Sequence, residues 1–531
     1  MFSGKTPKLL STMIIFLCVV STTYAQEIFR VIRGGDIAQV NTLLDEDPSQ
    51  VNAKDGAERT PLHYAVILGN IELAQLCIDK GAKLSVRNSD GDTPLNLALF
   101  LSKKKDLIDL LLEHGADYDG SGIKALAMLQ ASARRGLVRM FLSIIDKEGD
   151  RLFADKEQNK WTLQDVVTSG SLELLSHLID RGFTIKKGKD RYGWTLVHYA
   201  AAKGHTEMLE YLVRQGIDIN LRTNAGESAY NLADRNNHNE IQDVIIELGG
   251  RNDTVQFPVL KGPYLGQKPP GLKPKIFAPG VVSRPDFIEL SITVSSAGDE
   301  FFFYGWSDSK DLTIYHTRIA NGLWIFPGEF PLTAKRPSGL PFLSFDNTKL
   351  FFKWQDSRHH GMWVTERTDE GWADPQPSGK GFYVTQSGKD GFYITELPSQ
   401  ENDHRYHIAK VKIVNNRMTD YKRVHFPDQT GHRAHPCIAP DGSFILFDSG
   451  GGEHLRVAFR QKDGTWGKAL DLTEYGFERL AGMPAISPDG KYLFFKLGCR
   501  GALDISHSKT NRDIWWVDIQ IIETLRTKEY K

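Results

Sequence analysis

Cysteine is scarce: four in 531 residues, too few for a disulfide framework to hold a chain of this length. One of them, Cys18, lies in the N-terminal apolar run, which leaves Cys77, Cys437 and Cys499, an odd number. Cys77 sits between Leu76 and Ile78 and reads as a small core residue, while spacing alone leaves a Cys437–Cys499 bridge open. Net charge is almost absent, with 65 Lys and Arg against 66 Asp and Glu, which excludes a general affinity for nucleic acid or anionic membranes. Long hydrophobic runs are missing after the first 25 residues. Within those, Lys5 and Lys8 precede an apolar run from Leu9 to Val20, and Ser21-Thr22-Thr23-Tyr24-Ala25 supplies small residues. That is the pattern of a secretory signal (1–25) cleaved after Ala25, giving a periplasmic or secreted protein. The run falls short of the roughly 20 apolar residues of a spanning helix, so no stable membrane span is expected after cleavage.

What is present is periodic. Gly81, Gly115, Gly149, Gly182, Gly216 and Gly249 recur at intervals of 34, 34, 33, 34 and 33 residues. Gly35, Gly69, Gly136, Gly170 and Gly204 keep the same beat with one omission. Glycine at this period fits a helix that ends on a left-handed residue. Thr60-Pro61-Leu62-His63 and Thr93-Pro94-Leu95-Asn96 open two units; Trp161-Thr162-Leu163 and Trp194-Thr195-Leu196-Val197-His198 open two more. Thr in this position caps a helix, and Pro at the first helical position gives up an N–H that had no partner. The chain resembles the ankyrin-repeat family over 26–250, with about seven repeats beginning near Gln26, Gly56, Gly91, Ile123, Lys160, Tyr192 and Ala225. The unit from Ile123 lacks the Thr-Pro-Leu-His opening and counts as degenerate.

That resemblance implies an all-α solenoid whose hairpin tips and first helices bind a protein partner. It nominates Lys54, Arg59, Arg87, Asn88, Arg191, Trp194, Arg222 and Asn224, a basic set that suits an acidic partner. Trp161 and Trp194 serve either as anchors on that face or as fillers of the groove between repeats. The resemblance gives His63 and His198 a structural part, hydrogen bonding from one repeat to the next.

From 251 to 286 helical periodicity stops and prolines crowd in, from Pro258 to Pro285. Phe257, Leu260, Tyr264, Leu265 and Phe277 make this a strap expected to pack along a surface. Beyond it the pattern becomes short strands. Ser487-Pro488-Asp489-Gly490 precedes Tyr492–Phe495, Ala439-Pro440-Asp441-Gly442 precedes Phe444–Phe447, and related turns precede Phe301, Leu350 and Phe392. Five such cassettes of four strands predict an all-β propeller over 287–525, with a sixth blade only if the strap supplied its strands, and a tail at 526–531. The Ser-Pro-Asp-Gly pattern resembles TolB-like, WD-repeat-like propellers of exported bacterial proteins.

Catalytic signals are weak. No Gly-x-Ser-x-Gly elbow and no His-Glu-x-x-His motif occurs. His359, His360, His404, His407, His425, His432, His435, His454 and His507 are read as polar loop, with His432 and His435 placed at the propeller rim. Asp448, Glu453, Asp504 and Asp513 are read as scattered solvated charge. The expectation is an exported, non-catalytic adaptor without cofactor or metal. It binds a protein through the repeats and a second partner or small ligand at the propeller channel. The rival is a propeller-based hydrolase or lyase acting on a peptide or glycan.

Overall fold

Each Thr-x-x-His opening folds around its imidazole. In the computed structural model, Thr60 N–H donates to His63 Nδ1 at 3.1 Å, so the neutral ring carries its proton on Nε2. That nitrogen reaches the carbonyl oxygen of Asp92, in the next repeat, at 3.1 Å. His198 repeats the arrangement with Thr195 N–H at 3.0 Å and Leu221 O at 2.9 Å. Asn231 does the same with an amide, accepting from Ser228 N–H and donating to Asp253 O. Both imidazoles are fully buried, and a buried polar atom without a partner would be costly. Burial drives the His198 pKa down to about 4, against the opposing effect of its bond to Leu221 O.

The structure describes residues 27–101, 105–118, 129, 131–133, 136–148, 156–185, 187–307, 310–333, 337–354, 361–388, 390–397, 405–428, 431–449, 454–475, 477, 481–497 and 513–529. These form two compact units, with the boundary between Ile185 and Lys186. The N-terminal unit holds paired helices such as Pro61–Ile67 with Ile71–Asp79 and Pro94–Leu101 with Lys105–Glu113. Asn70 caps Ile71–Asp79 by accepting from Leu73 N–H, and Leu73, Ala74 and Cys77 of that helix are buried. The degenerate unit keeps its helix, Val138–Glu148, with Met140, Phe141, Ile144 and Ile145 fully buried. The expected opening at Trp161-Thr162-Leu163 is different: one helix, Lys156–Ser169, runs straight through it. Pro is absent from the Trp194-Thr195 opening too, but there His198 closes a capping box with Thr195; here Asp165 stands at that position, and Thr162 is a buried mid-helix residue.

The second unit contains the last two repeat pairs, Leu196–Lys203 with Thr206–Arg214 and Ala229–Arg235 with Asn239–Glu247, together with a five-bladed β-propeller. The inner strands of the five antiparallel sheets are Ile288–Val294, Ser338–Leu343, Phe382–Ser387, Arg433–Ile438 and Gly482–Ile486. Each neighbours the next, and the last neighbours the first, so the ring closes. The serine turns explain why the cassettes were recognisable. Ser487 Oγ donates to Asp489 and accepts from the amides of Lys491 and Tyr492, wiring the turn to its own strand. Ser344 and Ser295 do the same in their blades.

The strap does not make a sixth blade. Its two-residue strand Lys275–Ile276 pairs with Trp516 and Trp515 and becomes the outer strand of the fifth blade. An outer edge tolerates the surrounding prolines. Phe277 follows, fully buried, with ring centroids 5.2 Å from Phe301, Phe494 and Trp516. Phe301 belongs to the first blade and the other two to the fifth, so one ring fills the seam between first and last blades. A helix the sequence did not announce, Gln520–Glu529, packs Ile522 and Leu525 into the core of the fourth and fifth blades.

Removing the seam ring should open it. Phe277→Ala is expected to destabilise the propeller by about 3–5 kcal/mol, read as a lower denaturant midpoint in equilibrium unfolding followed by tryptophan fluorescence. A midpoint equal to that of the unaltered protein would refute the closing role.

Candidate functional site

The nominated repeat residues separate into two groups. In the N-terminal unit, Lys54 pairs with Glu58 at 2.9 Å, Arg87 donates to Gly91 O at 2.6 Å, and Arg59 is half-buried. Asn88 turns inward: it is buried and accepts from the amides of Asp90 and Asp92, so its work is to shape the hairpin. In the second unit Trp194 is 1% exposed, and its indole lies 5.0 Å from the Tyr199 ring as an interior filler, not a surface anchor. Asn224 donates to Arg191 O at 2.9 Å and to Pro279 O of the strap at 3.0 Å. Arg222 pairs with Asp253 and donates to Gly226 O. The backbones here touch: a Cβ on Gly226 would fall 1.8 Å from Gln256 O, and one on Gly280 would fall 2.5 Å from Tyr192 O. The tips of the last two repeats are therefore covered by the chain's own strap. The side chain of Trp161 lies outside the described residues.

A buried charged cluster sits at that junction. Arg235, at the end of its helix, pairs with Glu227 at 2.7 Å and with Asp286 at 2.6 Å. Burial pushes the Asp286 carboxyl up, but Arg235 and then Arg284 outweigh it and hold it below its ordinary value. Arg284 N–H donates to Glu289 Oε1 at 3.0 Å, and Ser283 exchanges hydrogen bonds with the backbone of Ile514. These bonds bring Glu289 and Asp513 to the same place. Tyr192 Oη, from a repeat tip, donates to Asp513 Oδ2 at 2.8 Å. Glu289 Oε2 and Asp513 Oδ1 have no hydrogen-bond partner among the described residues. Burial raises the Asp513 pKa to about 7, opposed by the Tyr192 hydroxyl. Burial and the nearby Asp513 charge raise Glu289 well above the carboxylate range. Asp513 is thus not the solvated charge expected from sequence, because the strap and a repeat enclose it.

At the mouth of the channel the inner strands bulge. Leu340, Tyr383, His435 and Met483 occupy the bulges of four blades, each with positive φ. Leu340 and Tyr383 share one apolar cluster, against which Met483 packs. A small cavity among the five inner strands is lined by Thr293, Phe342, Thr385, Cys437 and Ile486, one residue from each. Cys437 is a free thiol, raised to about 12 by burial; Cys499 lies outside the described residues. In the fourth blade His435 Nδ1 lies 2.8 Å from Asp448 Oδ2. Asp448 is buried and also accepts from Met483 N–H at 3.3 Å, which again corrects the reading of a solvated acid. His432 Nδ1 accepts from Tyr406 N–H at 3.2 Å. Ring contacts link His432 to Tyr406 (5.5 Å), Tyr406 to Phe382 (5.4 Å) and Phe382 to His435 (5.4 Å). Both nominated histidines therefore share one aromatic arc. Sequence spacing could not show that Asp448, across a bulge, would be His435's partner. His359, His360, His404, His507, Glu453 and Asp504 lie outside the described residues.

The raised carboxyl has a measurable sign. An acid whose folded pKa lies above its unfolded value loses stability as pH climbs from the unfolded value, 3.8, through the folded one, about 7. Asp513→Asn keeps an acceptor for Tyr192 and cannot ionise. It should stabilise the second unit at pH 8 relative to the unaltered chain by on the order of a few kcal/mol, read as a higher melting temperature, with the difference shrinking towards pH 5. A pH-independent difference would contradict the buried-acid reading.

The family model for ankyrin repeats matches residues 28–121 and 129–255. The chain is 29% identical over 216 residues to a transient receptor potential cation channel subfamily A member 1 homolog of Caenorhabditis elegans; the match takes in 39% of this chain and 17% of that protein. It is 26% identical over 209 residues to a putative ankyrin repeat protein of Rickettsia felis, covering 39% of this chain and 54% of the relative. An 80-residue stretch is 40% identical to the serine/threonine-protein kinase VIK of Arabidopsis thaliana, covering 15% of this chain and 18% of that protein. The chain thus spans about half or less of the length of these relatives. Among the described residues no helix is long and apolar enough to cross a membrane. With Thr60–His63 and Thr195–His198 wired as above, and with five closed sheets after them, the chain carries ankyrin repeats in its N-terminal half and a five-bladed β-propeller in its C-terminal half.

Proposed function

We propose that this protein is an exported, non-catalytic adaptor. A protein partner binds the repeat tips of the N-terminal unit, and the propeller mouth, rimmed by His432 and His435, takes a second ligand. The observation that carries this reading is the unequal fate of the tips. Those of the last two repeats are tied to the strap by Asn224 and Arg222, whereas at the earlier tips Lys54 pairs with Glu58 and Arg87 donates to Gly91 O, each inside its own hairpin. A basic set of Lys54, Arg59 and Arg87 suits an acidic partner. The N-terminal apolar run and the TolB-like turn pattern support export with cleavage after Ala25. The rival, a propeller-based hydrolase or lyase acting on a peptide or glycan, draws on the His435–Asp448 pair, an arrangement that orients an imidazole for proton transfer.

Charge reversal tests the adaptor. Lys54→Glu with Arg59→Glu and Arg87→Glu in the full chain should weaken capture of a defined acidic partner from envelope extract by roughly tenfold or more, with the melting temperature unchanged. Undiminished capture would remove the tips from the binding face. N-terminal sequencing of the envelope protein should begin at Gln26; an intact Met1 would contradict export with cleavage.

A further inference from the structure

The hydrogen bonds at the propeller mouth fix which atoms are left over. Asp448 takes the Nδ1 edge of His435, so the neutral ring keeps its proton there and leaves Nε2 as an acceptor. His432 is the mirror case. Its Nδ1 accepts from Tyr406 N–H, so Nε2 carries the proton and is a donor. Neither Nε2 has a hydrogen-bond partner among the described residues. A third polar group packs on Phe382, the ring that also touches His435. The Lys353 ammonium lies 5.7 Å from the centroid of the Phe382 ring and makes no ion pair among the described residues. The acid at this place, Asp448, is already engaged by His435 and by the amide of Met483. The surplus is thus one cation, one neutral donor and one acceptor. All are held on a floor of half-buried rings, Phe382 and Tyr406, 5.4 Å apart.

We propose that the propeller mouth binds a ring bearing both a carboxylate and a hydroxyl group, the carboxylate paired with Lys353 and the hydroxyl donating to His435 Nε2. The inference rests on the reading of the mouth as the second ligand site and names what that ligand must carry. A cation or a metal ion is disfavoured by the Lys353 ammonium and the His432 N–H donor. A purely apolar ligand would leave all three polar groups without water or partner. A flat or hydroxylated ring meets the aromatic floor and the polar edge together, which is the usual division of labour in a small-ligand site. A sugar acid and a hydroxylated aromatic acid share this chemistry.

Isothermal titration of the full chain separates the two sources. Methyl glucuronide and 4-hydroxybenzoate are the probes; methyl glucoside, which lacks the carboxylate, and benzoate, which lacks the hydroxyl, are their controls. At least one probe should bind with a dissociation constant of about 1 mM or tighter, and its own control at least roughly tenfold more weakly. The probe that binds names the source. Lys353→Met should cost roughly tenfold. His435→Ala should cost a similar factor, while His435→Gln, which keeps an acceptor, should retain most of the affinity; if the alanine variant unfolds, the glutamine and Lys353 variants carry the test. Failure of both probes to bind, controls that bind equally, or affinity unmoved by Lys353→Met would each overturn the proposal. Because the repeat tips play no part in this titration, loss of partner capture by the tip variants leaves its outcome unchanged, so the two readings fail separately.

Discussion

Lys275 and Ile276 pair with Trp516 and Trp515, and Phe277 drops into the seam beside them. On that short contact the second unit depends. An open stack of five sheets would expose the inner face of its first blade and the outer face of its last, and each carries large aromatic rings. Phe301 and Phe303 lie on one side, Phe494 and Trp516 on the other, and all are buried in the same cluster as Phe277. Pairing the outermost strand with a segment from before the first blade makes the ring cooperative: neither end can fray without giving up the apolar cover of the other.

The same strap constrains the repeats. Once Lys275–Ile276 are fixed in the ring, the chain on either side has little freedom, and it runs against Tyr192, Asn224 and Gly226 at backbone distance. The charged cluster of Arg235, Glu227, Asp286 and Arg284 closes this junction. Buried ion pairs contribute little net stability, because desolvation offsets most of their attraction, but an unpaired member would be strongly unfavourable. Their effect is on specificity: only a register that brings Arg235 to both Glu227 and Asp286 satisfies all three. The Tyr192–Asp513 bond belongs to the same logic, at the cost of holding a carboxyl where water cannot reach it.

How much of this was legible follows from the range of the interactions. Thr-Pro-Leu-His and Ser-Pro-Asp-Gly were readable because their hydrogen bonds close within about five residues, as Ser487 with Tyr492 and Thr60 with His63 show. The five blades followed from repetition of that local signal. The two-residue strand at Lys275 has no period to read, and its partner lies at the far end of the chain. The Lys156–Ser169 helix runs past Trp161 where Asp165 replaces the histidine that closes the capping box at Thr195 and His198. Asp448 and Asp513 looked like loop charge because their partners, His435 and Tyr192, come from another strand and from another kind of repeat. Trp194 had two equal uses on sequence, and burial decided for the interior.

The strained backbone at the mouth needs a separate argument. A non-glycine residue with positive φ at a candidate site invites a functional explanation. Here His435 shares its conformation with Leu340, Tyr383 and Met483, which occupy the same bulge in other blades. Three of these four side chains have no acid–base chemistry near neutral pH, so the strain belongs to the propeller's inner edge, where each strand must turn one residue towards the axis. What distinguishes the fourth blade is the side chain placed in that common position and the carboxylate set opposite it. Ala434 pairs with Asp448 across the strands, whereas the corresponding register in the fifth blade sets Gly482 against Lys496. The fold supplies a ring of inward positions, and the residue pair in one blade turns one of them into an oriented imidazole.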